Sequence, residues 1–133
     1  MKLIPSSKKD YEFFYELLKE RDLKINISHK KLPTREDSDK FNGDRPYSKD
    51  FVIMMKEERI GRIYITYDGE LGIFLSFKYQ NYGLGGEVLK MFIKKVKEKK
   101  YYANVSPLNT KSQRFFERNG FKLVQYTYVK EIK

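Results

Sequence analysis

The apolar positions of this chain follow two different periods. Tyr11, Phe14, Leu17 and Leu18 recur at three- and four-residue spacing, and Ser7-Lys8-Lys9-Asp10 ahead of them has the serine-then-acid spacing of a helix start. That predicts a helix over residues 8–21, preceded by a short strand at Leu3-Ile4. From Asp50 the period drops to two. Phe51-Val52-Ile53-Met54-Met55 reads as a strand and Lys56-Glu57-Glu58-Arg59 as a polar turn. Ile60, Arg62, Tyr64 and Thr66 then alternate with Gly61, Ile63, Ile65 and Tyr67. Asp68-Gly69 is a two-residue hairpin signal, and Leu71 to Phe77 is apolar enough to be a central buried strand. These runs predict a three-strand antiparallel meander.

The helical period returns with Leu84, Val88, Leu89, Phe92, Ile93 and Val96 on one face. Tyr101 to Ser106 predicts a fifth strand, ended by Pro107. Asn109-Thr110-Lys111-Ser112 opens a further helix that holds Phe115 and Phe116 and stops at Asn119-Gly120. Phe121 to Ile132 predicts one or two closing strands. Residues 24–49 are polar and irregular, with Pro33, Asn42-Gly43 and Pro46, although Thr34-Arg35-Glu36-Asp37 can cap a short helix running to Phe41. A connection this long in a small domain is functional or mobile. An antiparallel meander followed by strand, helix, strand, helix and strand gives a mixed α/β sheet, in one domain over residues 1–133.

Composition narrows the chemistry. With 40% hydrophobic residues and 10 Phe plus 11 Tyr, the chain can bury a core. No cysteine excludes disulfides, a thiolate metal site and a cysteine nucleophile, and a single histidine excludes a multi-histidine metal site within one chain. No metal site is expected. No run reaches the roughly 18–20 apolar residues of a membrane span, and Met1-Lys2-Leu3-Ile4-Pro5-Ser6 lacks the apolar core of a signal peptide; the expectation is a cytoplasmic protein without a membrane partner. The net charge of +10 fits either a polyanion-binding surface or a lysine-rich solvated surface with a pocket for an anionic ligand. The second is preferred, because the charge is dispersed and its densest cluster, Lys94 to Lys100, ends a helix where cations suit the dipole. A contiguous basic-aromatic stripe for nucleic acid is lacking.

The most specific chemistry lies in Gln80-Asn81-Tyr82-Gly83-Leu84-Gly85-Gly86. Three glycines in four positions at a helix start leave backbone N–H groups uncovered. The first N–H groups of a helix lack internal partners and carry the positive end of the dipole. Together they make a site for a phosphate or pyrophosphate.

Strand, Gln80-x-x-Gly83-x-Gly85, helix and strand resembles the acetyl-CoA signature of the GNAT N-acetyltransferase superfamily. Asn109-x-x-Ser112-x-x-Phe115-Phe116-x-x-x-Gly120-Phe121 is similar to the Asn-led helix that follows in that family. The resemblance covers residues 60–125, and residues 1–50 match only in helix order. Residues 70–76 with Asn109 most resemble the branch that modifies protein N-termini, ribosomal proteins or small amines. The resemblance implies the family fold, with the fourth and fifth strands splayed and the pantetheine arm inserted between them. It implies a CoA pyrophosphate on the N–H groups of Asn81, Tyr82, Gly83, Leu84, Gly85 and Gly86, where a Cβ at 83 or 85 would obstruct the ligand. Gln80 would brace the loop, and backbone groups of Phe74, Leu75 and Phe77 would pair with pantetheine. Asn109 would act as ligand contact, as helix cap or as both, with Ser112 and Phe116 on the same helix beside the donor.

The implied reaction is direct attack of a primary amine on the acetyl thioester, with the Leu75 N–H stabilising the oxyanion. The acceptor would be a protein N-terminus, a lysine or a small amine, in a pocket built from residues 24–49 and the C-terminal strands; family practice also admits a homodimer. Glu70 is the candidate base, though its register from Gln80 is one residue off the family's, and a solvated hairpin residue is the alternative. Asp68 reads as turn. Asn104 and Ser106 could hold a water, and His29 reads as surface. Many family members carry a tyrosine acid where this chain has Phe116. Catalysis without a general acid, substitution by Tyr79, Tyr82, Tyr126 or Tyr128, and a CoA-binding regulator without turnover all follow from that departure. A nucleic-acid-binding module is the remaining alternative.

Overall fold

A computed structural model describes residues 1–21 and 31–133. A four-stranded antiparallel sheet runs in the order β1 (Lys2–Pro5), β2 (Tyr47–Met55), β3 (Glu58–Thr66) and β4 (Leu71–Leu75). Alternation along the strands sends side chains to opposite faces. On β2, Phe51 and Ile53 join one core with Ile63 and Ile65 of β3 and Leu71 of β4. Val52 joins a second core on the other face.

Helices cover both faces. The first core is closed by α3 (Leu84–Lys95), which buries Val88, Leu89 and Phe92, with Phe92 edge-on to Phe51 at 6.0 Å. The second is closed by α1 (Tyr11–Lys19) through Phe14 and Leu17. The predicted helix over residues 8–21 begins as a 3-10 turn at Lys8–Asp10, capped from Ser7, and ends at Lys19. The buried Asp10 carboxylate accepts from the Ser7 N–H at 2.9 Å and the Arg59 guanidinium at 2.8 Å, which ties the helix start to β3. The short helix α2 (Arg35–Gly43) is capped by the Thr34 hydroxyl, which accepts from the Asp37 N–H at 3.0 Å. The Tyr15 hydroxyl donates to the Pro33 carbonyl at 2.8 Å and holds this region to α1. The turn after β3 has three residues rather than two. Thr66 bonds Glu70 across it, and Gly69 takes the left-handed position with φ 86°.

The last helix, α4 (Thr110–Arg118), stops at Asn119-Gly120. Two predicted strands differ. Tyr101 to Ser106 meets β4 through one parallel pair only, Glu70 with Tyr102, in which the Leu71 N–H donates to the Tyr102 carbonyl at 2.6 Å and the Tyr102 N–H to the Gly69 carbonyl at 2.9 Å. Beyond that pair no ladder forms between the two segments. The closing strands over Phe121 to Ile132 are absent for a related reason: past Phe121 the segment pairs with no backbone among the described residues, and it lies largely exposed. Among the described residues no helix is long and apolar enough to cross a membrane.

Candidate active site

The site begins at the free edge of β4. In an antiparallel ladder, alternate residues bond the neighbouring strand and the others turn their N–H and C=O outward. Thr66 N–H donates to the Glu70 carbonyl and Ser76 N–H to the Ile60 carbonyl, both at 2.9 Å. With the register Arg62↔Phe74 and Tyr64↔Gly72, the even residues of β4 therefore serve β3. Leu71, Ile73 and Leu75 face the other way. The Leu71 N–H is taken by the Tyr102 carbonyl and the Leu75 carbonyl by Gln80, so the Ile73 backbone and the Leu75 N–H stay open toward the wedge between β4 and residues 103–106. Leu75 lies where the sequence expectation puts it. Ile73 joins it, one step deeper toward the closed end. Phe74 does not, because its backbone is spent on Arg62.

At its wide end the wedge runs into the glycine loop. The Gln80 amide spans the corner: its Nε2 donates to the Leu75 carbonyl at 2.8 Å and its Oε1 accepts from Lys111 Nζ at 2.9 Å. Asn81 and Gly83 both take positive φ, 68° and 75°, which turns the chain so that α3 starts at Leu84 with its N-terminus toward the wedge. Tyr82 stands in solvent at 75% exposure. Gly85 has a different task from the one expected. A Cβ there would lie 2.8 Å from Phe115 Cε1, so this glycine lets α4 pack against α3. Gly86 faces Asn119 with room for a methyl, the nearest atom being 3.5 Å from an added Cβ.

The start of α4 forms the other side of the loop. Asn109 Oδ1 accepts from the Ser112 N–H at 3.1 Å, so the side chain is a helix cap, and among the described residues its Nδ2 has no partner. Lys111 was missed from the sequence. The signal was present: a cation in the first turn of a helix without an acid opposes the helix dipole, an arrangement that suits a bound anion. Phe116 is locked edge-on between Phe115 and Phe121, each 5.1 Å away, as part of the core.

Two further groups were assigned differently from sequence. The Phe77 N–H is held by Glu20 Oε1 at 2.7 Å, and the Ser76 hydroxyl donates to Glu20 Oε2 at 3.2 Å. That N–H is therefore closed to a ligand, and the end of α1 is tied to the corner between β4 and the loop. The Tyr79 hydroxyl donates to Glu58, whose carboxylate is held below its ordinary pKa first by that bond and then by Lys78. Glu58 likewise pushes Tyr79 up. Tyr79 is thus engaged away from the wedge, and Tyr126 and Tyr128 stand in solvent.

At the closed end, Asn104 Nδ2 donates to Glu70 Oε1. Glu70 shares its strand parity with Gly72 and Phe74, so all three lie on the α1 and α2 side of the sheet. That side has an aromatic floor: Tyr47 stacks on Tyr64 at 3.6 Å, and Tyr64 lies over β4 where a Cβ on Gly72 would fall 2.2 Å from its Cζ. Burial and the neighbouring Tyr64 push the Tyr47 hydroxyl far up, keeping it protonated. The Arg21 guanidinium lies 4.1 Å over Phe74, and burial lowers its pKa. Arg62 crosses under the floor, donating to both Asp50 oxygens at 2.9 and 2.7 Å and to Asn42 Oδ1 at 2.9 Å. Ser106 is buried, and its hydroxyl accepts from the Leu108 N–H at 3.2 Å. Asp68 remains in the hairpin. His29 and residues 24–30 of the expected acceptor pocket lie outside the described residues.

A family model described as an acetyltransferase (GNAT) domain matches residues 1–122. No curated protein matches the chain in sequence. Among solved structures, the chain is similar to an acetyltransferase of Thermus thermophilus, with TM-score 0.77 and 23% identity over 93% of this chain and 88% of that one. It is similar to a ribosomal-protein alpha-N-acetyltransferase in complex with coenzyme A, with TM-score 0.72 and 15% identity over 92% and 80%. A spermidine N-acetyltransferase of Vibrio cholerae gives TM-score 0.71 and 17% identity over 91% and 78%. At such identities these likenesses speak to the fold.

Proposed function

The chain belongs to the acetyltransferase (GNAT) domain family, and on that footing we propose that it transfers the acetyl group of acetyl-CoA directly to a primary amine, with the donor laid along the open edge of β4. The single observation that carries this reading is the outward backbone of Ile73 and N–H of Leu75, facing an unpaired segment and leading to a helix N-terminus. A wedge with strand-like hydrogen-bonding groups on one wall suits the amides of pantetheine. The uncovered N–H groups of residues 81–86, with Lys111 beside them, suit its pyrophosphate. Gln80 holds the wedge to the loop, and the Asn109 amide nitrogen is a donor for the pantetheine carbonyls.

In this placement the thioester lies at the deep end, and the Ile73 N–H, with Leu75 behind it, stabilises the oxyanion as the amine attacks the carbonyl carbon. The carbon–sulfur bond then breaks and the thiolate leaves. The amine proton passes to Glu70 through a water held by Asn104, or to solvent, since an amine of pKa ~10.4 must lose a proton to react. The leaving thiolate, of pKa near ~8.5, takes its proton from water, which Phe116 cannot supply. The acceptor is a small-molecule amine or a protein amine approaching over the aromatic floor of Tyr64 and Phe74.

Titration calorimetry with acetyl-CoA tests the donor site; no heat of binding at millimolar ligand refutes it. Release of free thiol with a panel of amines tests turnover. Tight acetyl-CoA binding without thiol release from any amine would favour a CoA-binding regulator, for which the locked Phe116 is the motivating observation.

A further inference from the structure

The face that the acceptor crosses is made by the even residues of β4 and the side chains laid on them. Tyr64 lies over Gly72, the Arg21 guanidinium stands 4.1 Å over the Phe74 ring, and Glu20 takes the Ser76 hydroxyl at 3.2 Å. Glu20 also holds the Phe77 N–H at 2.7 Å. The end of α1 is thereby pinned to β4, and Arg21, the next residue, is carried onto the acceptor face. An arginine at a helix C-terminus suits the dipole and needs no other reason when it points into water. This one is half-buried on an aromatic ring, and burial is the main cause that lowers its pKa. Taking a cation out of water is costly unless it gains partners. Stacking uses the flat face of a guanidinium, whereas its hydrogen bonds form at the edge. With five N–H donors it can hold a ligand anion together with its partners in the chain.

The other polar groups of this face have the same sense. Tyr47 stacks on Tyr64, and burial with that neighbour keeps its hydroxyl protonated, a donor. A second guanidinium, Arg62, lies 3.8 Å over Phe14. The carboxylates that border the face are engaged already. Asp50 accepts from Arg62 and Ser6, Glu20 from Phe77 and Ser76, and Glu70 from Asn104. A diamine brings a second ammonium that wants a carboxylate and meets a guanidinium instead. An amine with an anion close by meets donors.

We propose that Arg21 selects the acceptor: the amine carries a carboxylate within a few bonds of its nitrogen, and the Arg21 guanidinium holds that carboxylate beside Phe74 while the amine faces the thioester. The carboxylate has two sources with one chemistry, a free amino acid or an acidic residue that follows a peptide N-terminus. The inference rests on the amine acetylation proposed above and adds the acceptor class to it. Donor binding stays with the wedge and the glycine loop, so Arg21 acts on the acceptor alone.

Two readouts test this. In the first, the chain saturated with CoA, which carries no acetyl group to transfer, is titrated by calorimetry with β-alanine, its amide and diaminopropane, which share an amine and differ in charge. β-Alanine is expected to bind about tenfold or more tighter than the amide, as a charge-assisted bond implies, and the diamine weakest. In the second, thiol release from acetyl-CoA should rank the three in the same order through KM. Arg21→Gln is expected to erase the ranking with circular dichroism, melting and acetyl-CoA affinity as in wild type. Arg21→Lys, which keeps the charge and the stem but not the fork, should recover part of it and controls for lost packing. Peptides beginning Ala-Asp and Ala-Asn separate the sources: discrimination between the peptides alone assigns a peptide acceptor, and among the small amines alone a free amino acid. Thiol release from no amine refutes turnover, and the calorimetric order then decides the role of Arg21 by itself. No preference for the carboxylate in either series, tighter binding of the diamine, or a preference that survives Arg21→Gln each overturns the proposal.

Discussion

Gly85→Ala separates two reasons for a glycine that sequence alone cannot tell apart. If the glycine existed only to admit a phosphate, an added methyl would leave the fold untouched or improve it, since alanine is better than glycine inside a helix by roughly 0.5–1 kcal/mol. The structure predicts otherwise. The new Cβ falls 2.8 Å from Phe115 Cε1 and 3.4 Å from Cζ. Phe115 cannot swing freely, because it is packed edge-on against Phe116, which is held in turn by Phe121. Overpacking of this kind costs about 1–3 kcal/mol. Gly85 is the second residue of α3, so the helix-propensity gain is taken at about 0.5 kcal/mol. The net loss is about 0.5–2.5 kcal/mol, or a fall in Tm of several degrees for a domain of this size. Differential scanning calorimetry of the two proteins measures it. Acetyl-CoA affinity, measured by calorimetry below the transition, should fall less than tenfold. A melting temperature equal to or above wild type, with acetyl-CoA binding lost, would refute the packing explanation and restore the ligand-approach one.

Glu20→Ala releases the Phe77 N–H and the Ser76 hydroxyl; one charged hydrogen bond of about 1.5 kcal/mol, discounted for exposure, predicts a KM for acetyl-CoA raised severalfold in a steady-state assay, with Glu20→Gln closer to wild type. Lys111→Ala should weaken acetyl-CoA binding severalfold, with the difference from wild type shrinking as salt rises from low to physiological; an equal loss at all ionic strengths would argue against a charge contact. Asn109→Ala removes a helix cap worth about 1 kcal/mol and should lower Tm by a few degrees; if its Nδ2 also meets the donor, acetyl-CoA affinity falls beyond what Asn109→Asp, which keeps the cap, produces. Arg62→Met strands the Asp50 carboxylate on the sheet and should cost about 3 kcal/mol or more in urea unfolding.

Much of this protein was set by patterns readable along the chain. Period-two runs gave β2, β3 and β4, period-3.6 runs gave α1, α3 and α4, and the caps at Ser7, Thr34 and Asn109 stand where the short polar side chains put them. These are local outcomes: alternation and capping depend on neighbours within four residues, so sequence suffices. The Gln80–Gly86 turn is local in the same sense. Which backbone groups face the donor was not local. It followed from the register of β3 on β4, and a shift of one residue would have offered Phe74 in place of Ile73 and Leu75. The task of Gly85 depends on Phe115, from a different helix, and the Phe77 N–H is closed by Glu20 from another element. Residues 101–106 and 121–132 have strand composition, yet a strand exists only where a second backbone supplies its hydrogen bonds. Composition proposes such a segment, and only the tertiary or quaternary arrangement decides whether a partner is there.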